Sequence, residues 1–233
     1  MININLSNKS PENIQQKFSF YTEEIWANEK QKFSKNLDTV FSAKKDETFI
    51  LLDTDIVHYL IGLGSEAKLF EIQARAEKFT YDFRKKIKSE STILNSENFS
   101  SAEIKSLVKG LFLGTYEYPF KAKHPVYDSG FQLILLDFSE EDLTEIHLQS
   151  LAICEGQFAC MEWLNKPQNF KRVPQISEFL TQISKKYNLK QTVFDRKKSE
   201  EIGLGAFLSV NQGSSQEAAF TILEYTSENI NAK

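Results

Sequence analysis

Cysteine and histidine are the scarcest chemistry-bearing residues here, with two and three copies in 233 residues. Cys154 and Cys160 fall in one predicted helix, on different sides of it, so they should not bond to each other. Reduced thiols and a cytoplasmic location are expected. His58, His124 and His147 lie far apart, and neither a His-Glu-x-x-His nor a paired-cysteine motif occurs. Nine glycines give little material for a phosphate-cradling loop. Gly203-x-Gly205 follows a predicted helix, not a strand, the wrong context for a dinucleotide turn. No apolar run approaches the ~20 residues needed to cross a bilayer. The opening Met1-Ile-Asn-Ile-Asn-Leu6 has neither the basic start nor the apolar run of a signal peptide. A broad positive surface is missing too. The net charge is -4, and the basic clusters Arg84-Lys85-Lys86 and Arg196-Lys197-Lys198 suit solvated helix ends better than a nucleic-acid footprint.

What remains is an ordinary globular composition, 41% apolar and 26% charged, in a chain long enough for one large domain or two modest ones. To about Ala43 the pattern is weak; Leu37, Val40 and Phe41 suggest a helix starting near Phe33. Thr48–Asp53 and Ile56–Ile61 read as hairpin strands around a Thr-Asp turn. Leu69, Ile72, Ala76, Phe79, Phe83 and Ile87 recur at helical spacing. A possible short strand at Thr92–Leu94 precedes a second helix with Ile104, Leu107, Val108, Leu111 and Phe112 as its stripe. Gln132–Phe138, apolar on both faces, is expected to be a central strand.

Ser139, with Asp142 three residues on, can cap a long helix. Leu143, His147, Leu151, Cys154, Phe158 and Met161 form its stripe, widened by Leu148, Ala152 and Ala159. From Leu143 to Leu164 it would span roughly 33 Å, a strut between two domains. Pro167 cannot continue a helix and Pro174 suits the start of the next. Beyond that loop the spacing predicts a helix through Ile176, Phe179, Leu180, Ile183 and Tyr187. A strand at Thr192–Phe194, a short helix from Lys197 to Ile202, a strand at Phe207–Val210 and another at Ala219–Tyr225 follow, an alternation typical of parallel α/β sheets. The expected organisation is α/β throughout: a domain over 1–140, a linking helix over 141–165, and the start of a second domain over 166–233.

Three segments resemble the cytosolic leucyl aminopeptidase family, two-metal exopeptidases. Trp163-Leu-Asn-Lys-Pro-Gln-Asn169 with Pro174 is similar to the family's Leu-Asn-x-Pro-x-Asn…Pro junction. Ile202-Gly-Leu-Gly-Ala-Phe-Leu-Ser-Val-Asn-Gln-Gly-Ser-Ser215, followed by Ile222-Leu-Glu-Tyr225, is similar to a Gly-Met-Gly…Val-x-x-Gly-Ser turn and the strand after it. Lys109-Gly-Leu-Phe-Leu-Gly-Thr-Tyr116, with Phe120 and Lys121, is similar to a Gly-x-x-x-x-x-Tyr-x-Phe segment. Asn169 and Pro174 stand one residue further apart than in the family, and Val173 replaces a threonine cap.

The resemblance implies a macro-domain-like N-terminal α/β domain joined to the truncated start of an α/β peptidase domain. It implies removal of N-terminal amino acids from peptides, two manganese or zinc ions in a full-length member, and self-association as hexamers. The family's Val-Gly-Lys-Gly…Phe-Asp and Asn-Thr-Asp-Ala-Glu-Gly-Arg segments, which bear its metal ligands and catalytic groups, have no counterpart here. No catalytic, cofactor-binding or metal-ligating residue is therefore assigned, and the chain is expected to be inactive alone and to serve in positioning or assembly. The alternative is a non-enzymatic binding or assembly module whose macro-like domain takes a nucleotide-derived ligand such as ADP-ribose.

Taken singly, the residues agree. Asp53-Thr-Asp55 could offer two carboxylates but reads as a polar turn. His147 reads as a packed histidine with one hydrogen bond, and His124 as a loop residue. Cys154 and Cys160 read as core thiols. Tyr116, Tyr118 and Phe120 read as aromatic core or interface. Membrane and nucleic-acid partners are not expected.

Overall fold

The six-stranded sheet of this protein separates two apolar clusters, and the alternation of side chains along its middle strands decides which cluster each residue joins. The structure is a computed structural model describing residues 4–9, 14–33, 36–53, 55–87, 91–118 and 132–227. It divides into two compact units, Met1–Glu162 and Trp163–Lys233.

In the first unit the strands are β1 (Asn5–Ser7), β2 (Gln16–Thr22), β3 (Thr48–Asp53), β4 (Ile56–Gly64), β5 (Ser91–Leu94) and β6 (Gln132–Ile134). Their order is β1-β6-β5-β2-β4-β3, parallel throughout except for the β3–β4 hairpin. β2 lies between β4 and β5. Its Phe18 and Phe20 enter a large cluster with Tyr59 and Ile61. Its Tyr21 joins Trp26, Phe41 and Leu60 in a smaller one. Period-two alternation across a sheet covered on both faces produces this split.

Helices α2 (Leu69–Phe83), α3 (Ser101–Leu113) and α4 (Glu140–Asn165) contribute to the large cluster, and α1 (Glu23–Glu29) to the small one. Ser100 caps α3 in a reciprocal box with Glu103, which satisfies two otherwise orphaned donors. α2 and α3 pack closely because Gly110 and Gly114 present no side chain. A Cβ on Gly110 would stand 2.2 Å from the Gln73 carbonyl oxygen, and one on Gly114 2.4 Å from that of Glu77. At the sheet's far end, the buried Arg75 guanidinium donates to the carbonyls of Gly62 and Glu47 and to Thr48 Oγ1. It ties α2 to both strands of the hairpin.

The second unit holds α5 (Val173–Lys186), β7 (Lys190–Phe194), α6 (Arg196–Glu201), α7 (Gly205–Asn211) and β8 (Phe220–Glu224). β7 and β8 pair antiparallel.

Phe207–Val210 is helical, within α7, not a strand. Its four apolar-leaning residues were too few to separate strand from helix. Without that strand, β7 and β8 become antiparallel neighbours and the parallel alternation is lost. No α-helix spans Phe33–Ala43; among the described residues there, Leu37–Thr39 forms a single 3-10 turn. Leu37 and Phe41 mimic helical spacing because one turn brings both to the core, closed by Phe41 N–H donating to Leu37 O at 3.0 Å. The strand at Gln132 stops at Ile134, and the chain turns through Leu135–Phe138 into the Ser139 cap. On α4, Leu148 and Ala152 face solvent, while Ile146 and Ser150 are buried. Phe120, Lys121, His124, Pro125 and Thr54 lie outside the described residues.

Candidate functional site

The junction between α4 and α5 is held by local contacts. Asn165 is the last residue of α4, and Lys171 Nζ donates to the Leu164 carbonyl at 3.1 Å, occupying an acceptor that the helix end leaves open. Lys166 Nζ sits 3.9 Å from the centre of the Trp163 ring, and Trp163 packs on Phe179 with centroids 4.9 Å apart. Pro174 occupies the first turn of α5. These are packing and capping roles. Nothing in the Leu-Asn-Lys-Pro-Gln-Asn motif directs a nucleophile or a ligand donor at a common point.

The titratable candidates do not converge. Asp53 closes β3 and the exposed Asp55 lies in the turn before β4. Among the described residues no three His, Cys, Asp or Glu side chains could hold a metal ion together. The donor set therefore does not fit the paired cations that the family resemblance implies, and no catalytic step is routed through them.

His58 is buried, its Nε2 within 2.8 Å of the Ser19 hydroxyl across β4 and β2. Burial, with Lys17 adding a like charge, pushes its pKa down to about 4. Burial raises the neighbouring Tyr21 phenol to about 12, partly opposed by a hydrogen bond with Ser19. This serine–histidine contact resembles a nucleophile–base pair in distance alone. Ser19 is fully buried, so no substrate carbonyl can reach it. The pairing was invisible in the sequence because its partners stand 39 residues apart.

His147 departs from expectation. Its Nδ1 is buried without a hydrogen-bond partner, and its ring lies 6.1 Å from that of Phe112. It lines a cavity of about 410 Å³ with Leu6, Asn8, Lys9, Glu140 and Leu143, beside the carboxyl end of β1. The two thiols differ. Cys154 is buried, its Sγ 3.7 Å from the Lys109 carbonyl, and burial raises its pKa to about 12. Cys160 is exposed, contrary to the core role expected of it. Tyr116 stacks on Phe158 at 5.5 Å and is part of the core packing. Gly203, at φ 78°, ends α6 in the left-handed region, a helix stop rather than a phosphate loop.

Residues 158–233 match the catalytic-domain model of the cytosol aminopeptidase family. The probable cytosol aminopeptidase of Bacillus subtilis is 25% identical over 181 residues, 72% of this chain and 35% of the relative. That of Protochlamydia amoebophila is 27% identical over 210 residues, 82% of this chain and 42% of the relative. A tomato leucine aminopeptidase mutant superposes with a TM-score of 0.78 at 17% identity, covering 98% of this chain and 52% of that one. The bottromycin maturation enzyme BotP, solved in complex with Mn, gives 0.69 at 16%, covering 93% and 46%. Likeness at such identities speaks to the fold alone.

The fold is thus a mixed α/β architecture with a mainly parallel sheet, shared with leucine aminopeptidases. The family-model match over residues 158–233 and the curated relatives support the resemblance to the cytosol, or leucyl, aminopeptidase family. It spans about a third to two fifths of the length of these curated relatives.

Proposed function

We propose that the chain supplies the N-terminal domain and the opening of the catalytic domain of a metallopeptidase that removes N-terminal amino acids from peptides. The N-terminal domain would cover residues 1–140, with 141–165 as the linking helix and 166–233 as the catalytic opening. On this reading, residues 1–233 position and assemble, and do not hydrolyse by themselves. The observation carrying it is the combination of a catalytic-domain match over 158–233 with a described donor set unable to hold a cation. Assembly would follow the hexamers implied by the family resemblance, and cytoplasmic action would follow the relatives named cytosol aminopeptidases.

The test is an assay of the 233-residue chain with a leucine anilide and added manganese or zinc. The expected result is no turnover above the metal blank. Metal-dependent hydrolysis that copurifies with the chain would overturn the proposal, and light scattering checks the assembly.

One observation favours a second reading, a binding module. The cavity beside β1 lies where ligands settle in open α/β sheets, outside the carboxyl ends of strands. Calorimetric titration with ADP-ribose checks it, and flat heats end it.

A further inference from the structure

The six-stranded sheet has two borders, and they are built differently. β1, at one end, is three residues long and carries the polar Asn5 and Ser7. Shortness and polarity blunt an open edge against pairing with other chains. β3, at the other end, has no such protection. Its Thr-Phe-Ile-Leu-Leu-Asp runs for six residues without proline, lysine or a bulge. Among the described residues no strand lies beyond it.

Register decides what that edge displays. Gly62 N–H donates to Glu47 O at 2.9 Å, so Glu47 and every second residue after it turn their backbone groups towards β4. In an antiparallel ladder the residues between them turn theirs away, which leaves the N–H and C=O groups of Ile50 and Leu52 facing the open edge. Their side chains share a face with the opposed Tyr59 and Val57, which belong to or pack on the large cluster. Yet Ile50 is 39% exposed and Leu52 71%. Outward-facing backbone and uncovered apolar side chains coincide on the same two residues.

We propose that the β3 edge pairs with the β3 edge of a second copy of this chain, antiparallel about a two-fold axis through Ile50. Charge selects this occupant and this direction. Lys44 and Lys45 lie exposed in the turn before β3, and Asp55 lies exposed in the turn after it. The acidic neighbours of the lysines are engaged elsewhere. Glu47 Oε2 accepts from the backbone of Ser42 and Lys44, and Asp46 acts on the Arg75 guanidinium. Lys45 already pairs with Glu71, so Lys44 supplies the matching charge.

Antiparallel pairing sets the lysine turn of each copy beside Asp55 of the other, whereas parallel pairing would set like against like. With Ile50 opposite itself, Thr48 faces the copy's Leu52, and Ile50 and Leu52 of both copies close over the seam. Sliding the pairing one way brings Glu47 against Asp55, and sliding it the other way sets Leu52 opposite Asp46. An isologous contact of this kind closes at two copies. It is also small. A six-residue edge falls well short of the ~1,600 Å² of a standard interface, so the copies associate weakly. The contact lies wholly within the first unit and stands whether or not the peptidase reading holds.

Sedimentation velocity on the 233-residue chain, between about 10 µM and 1 mM, tests it. The expected result is a monomer–dimer equilibrium. Leu52→Lys sets cations beside the seam and should weaken the dimer at least about 10-fold. Val210→Lys, at an 85% exposed residue of the second unit, should leave it unchanged. Circular dichroism checks that both variants keep the parent fold. Register has its own readout. In a Cys160→Ser background, with Cys154 buried, Ile50→Cys should form an intermolecular disulfide on mild oxidation. Directly opposed residues of a bonded pair stand about 5.5 Å apart at Cα, within disulfide reach. Leu52→Cys should not cross-link, because Thr48 faces it. A chain monomeric throughout the range would overturn the proposal. So would an assembly that Leu52→Lys leaves intact, or a Leu52→Cys cross-link that forms as fast as the Ile50→Cys one.

Discussion

Replacing Gly110 with alanine should destabilise the first unit even though alanine is the better helix former. Helix propensity alone favours the change by about 1 kcal/mol. The packing opposes it. The new methyl carbon would stand 2.2 Å from Gln73 O and 2.7 Å from Ala76 Cβ. Both neighbours belong to the facing helix, and one is backbone, so no side-chain rotation relieves the clash. α2 and α3 must separate by more than about 1 Å to restore ordinary contact, loosening a core that includes Ile72, Ala76, Leu107 and Leu111. Overpacking costs typically 1–3 kcal/mol, and so short an approach to backbone places this case at about 2–3, leaving a net loss of about 1–2 kcal/mol after the propensity gain.

Gly156 supplies the matched control. It lies in the interior of α4, and a Cβ there would meet nothing within 4 Å. Gly156→Ala therefore receives the propensity gain unopposed and should stabilise by about 0.5–1 kcal/mol. Urea unfolding followed by Trp26 fluorescence in a Trp163→Phe background reads the first unit, since the protein has two tryptophans and Trp26 is buried in the smaller cluster. With a slope of about 2 kcal/mol per M, the midpoint should fall by roughly 0.5–1 M for Gly110→Ala and rise by a few tenths for Gly156→Ala. Equal, positive shifts would show that α2 and α3 are not packed through their glycines.

The buried His58 should make stability pH-dependent. Its folded pKa of about 4 lies below the ordinary 6.5, so the unfolded chain binds the extra proton. Stability is full above pH 6.5 and declines as pH falls towards 4, by about 3 kcal/mol at that limit. Urea midpoints should show the slope in the parent and a flatter one in His58→Gln; identical slopes would refute the assignment. Thiol labelling at neutral pH should modify Cys160 alone, with Cys154 reacting only after unfolding. Two fast thiols would contradict the buried position of Cys154.

The helices and the hairpin were legible because their signals are local. Ile72, Ala76 and Phe79 repeat at helical spacing on α2, and Ser100 and Glu103 announce the start of α3. β2 was not legible, though it lies between β4 and β5. Its Gln-Lys-Phe-Ser-Phe-Tyr-Thr reads as half polar, yet Ser19 is fully buried because His58, on another strand, accepts or donates its hydrogen bond. A buried polar residue satisfied from a distance looks like surface to any local rule. α1 was missed for a related reason: Trp26 is its one buried residue, too little periodicity to register. On α4 the error ran the other way. Leu148 and Cys160 carried apolar character without burial, which spacing does not distinguish from core.

The acidic residues explain why no cation cage forms among the described residues of the first unit. A two-metal site needs several carboxylates aimed at one point without competing partners. Here they are spent on separate elements. Glu103 accepts from Ser100 at the head of α3, and Asp142 from Ser139 before α4. Glu71 accepts from the Lys68 backbone at the start of α2, and Glu47 Oε2 gathers Ser42 and Lys44 into the turn before β3. Glu145 pairs with Lys105 on the neighbouring helix. Each carboxylate complements a helix dipole, a turn or a single ammonium, and moving any of them towards a shared metal would expose the group it now satisfies. The second unit shows the same habit, with Asp195 capping α6 and Glu224 paired to Lys190 across β7–β8. In these residues negative charge serves the scaffold. Among the described residues no three His, Cys, Asp or Glu side chains are left to hold a metal ion together.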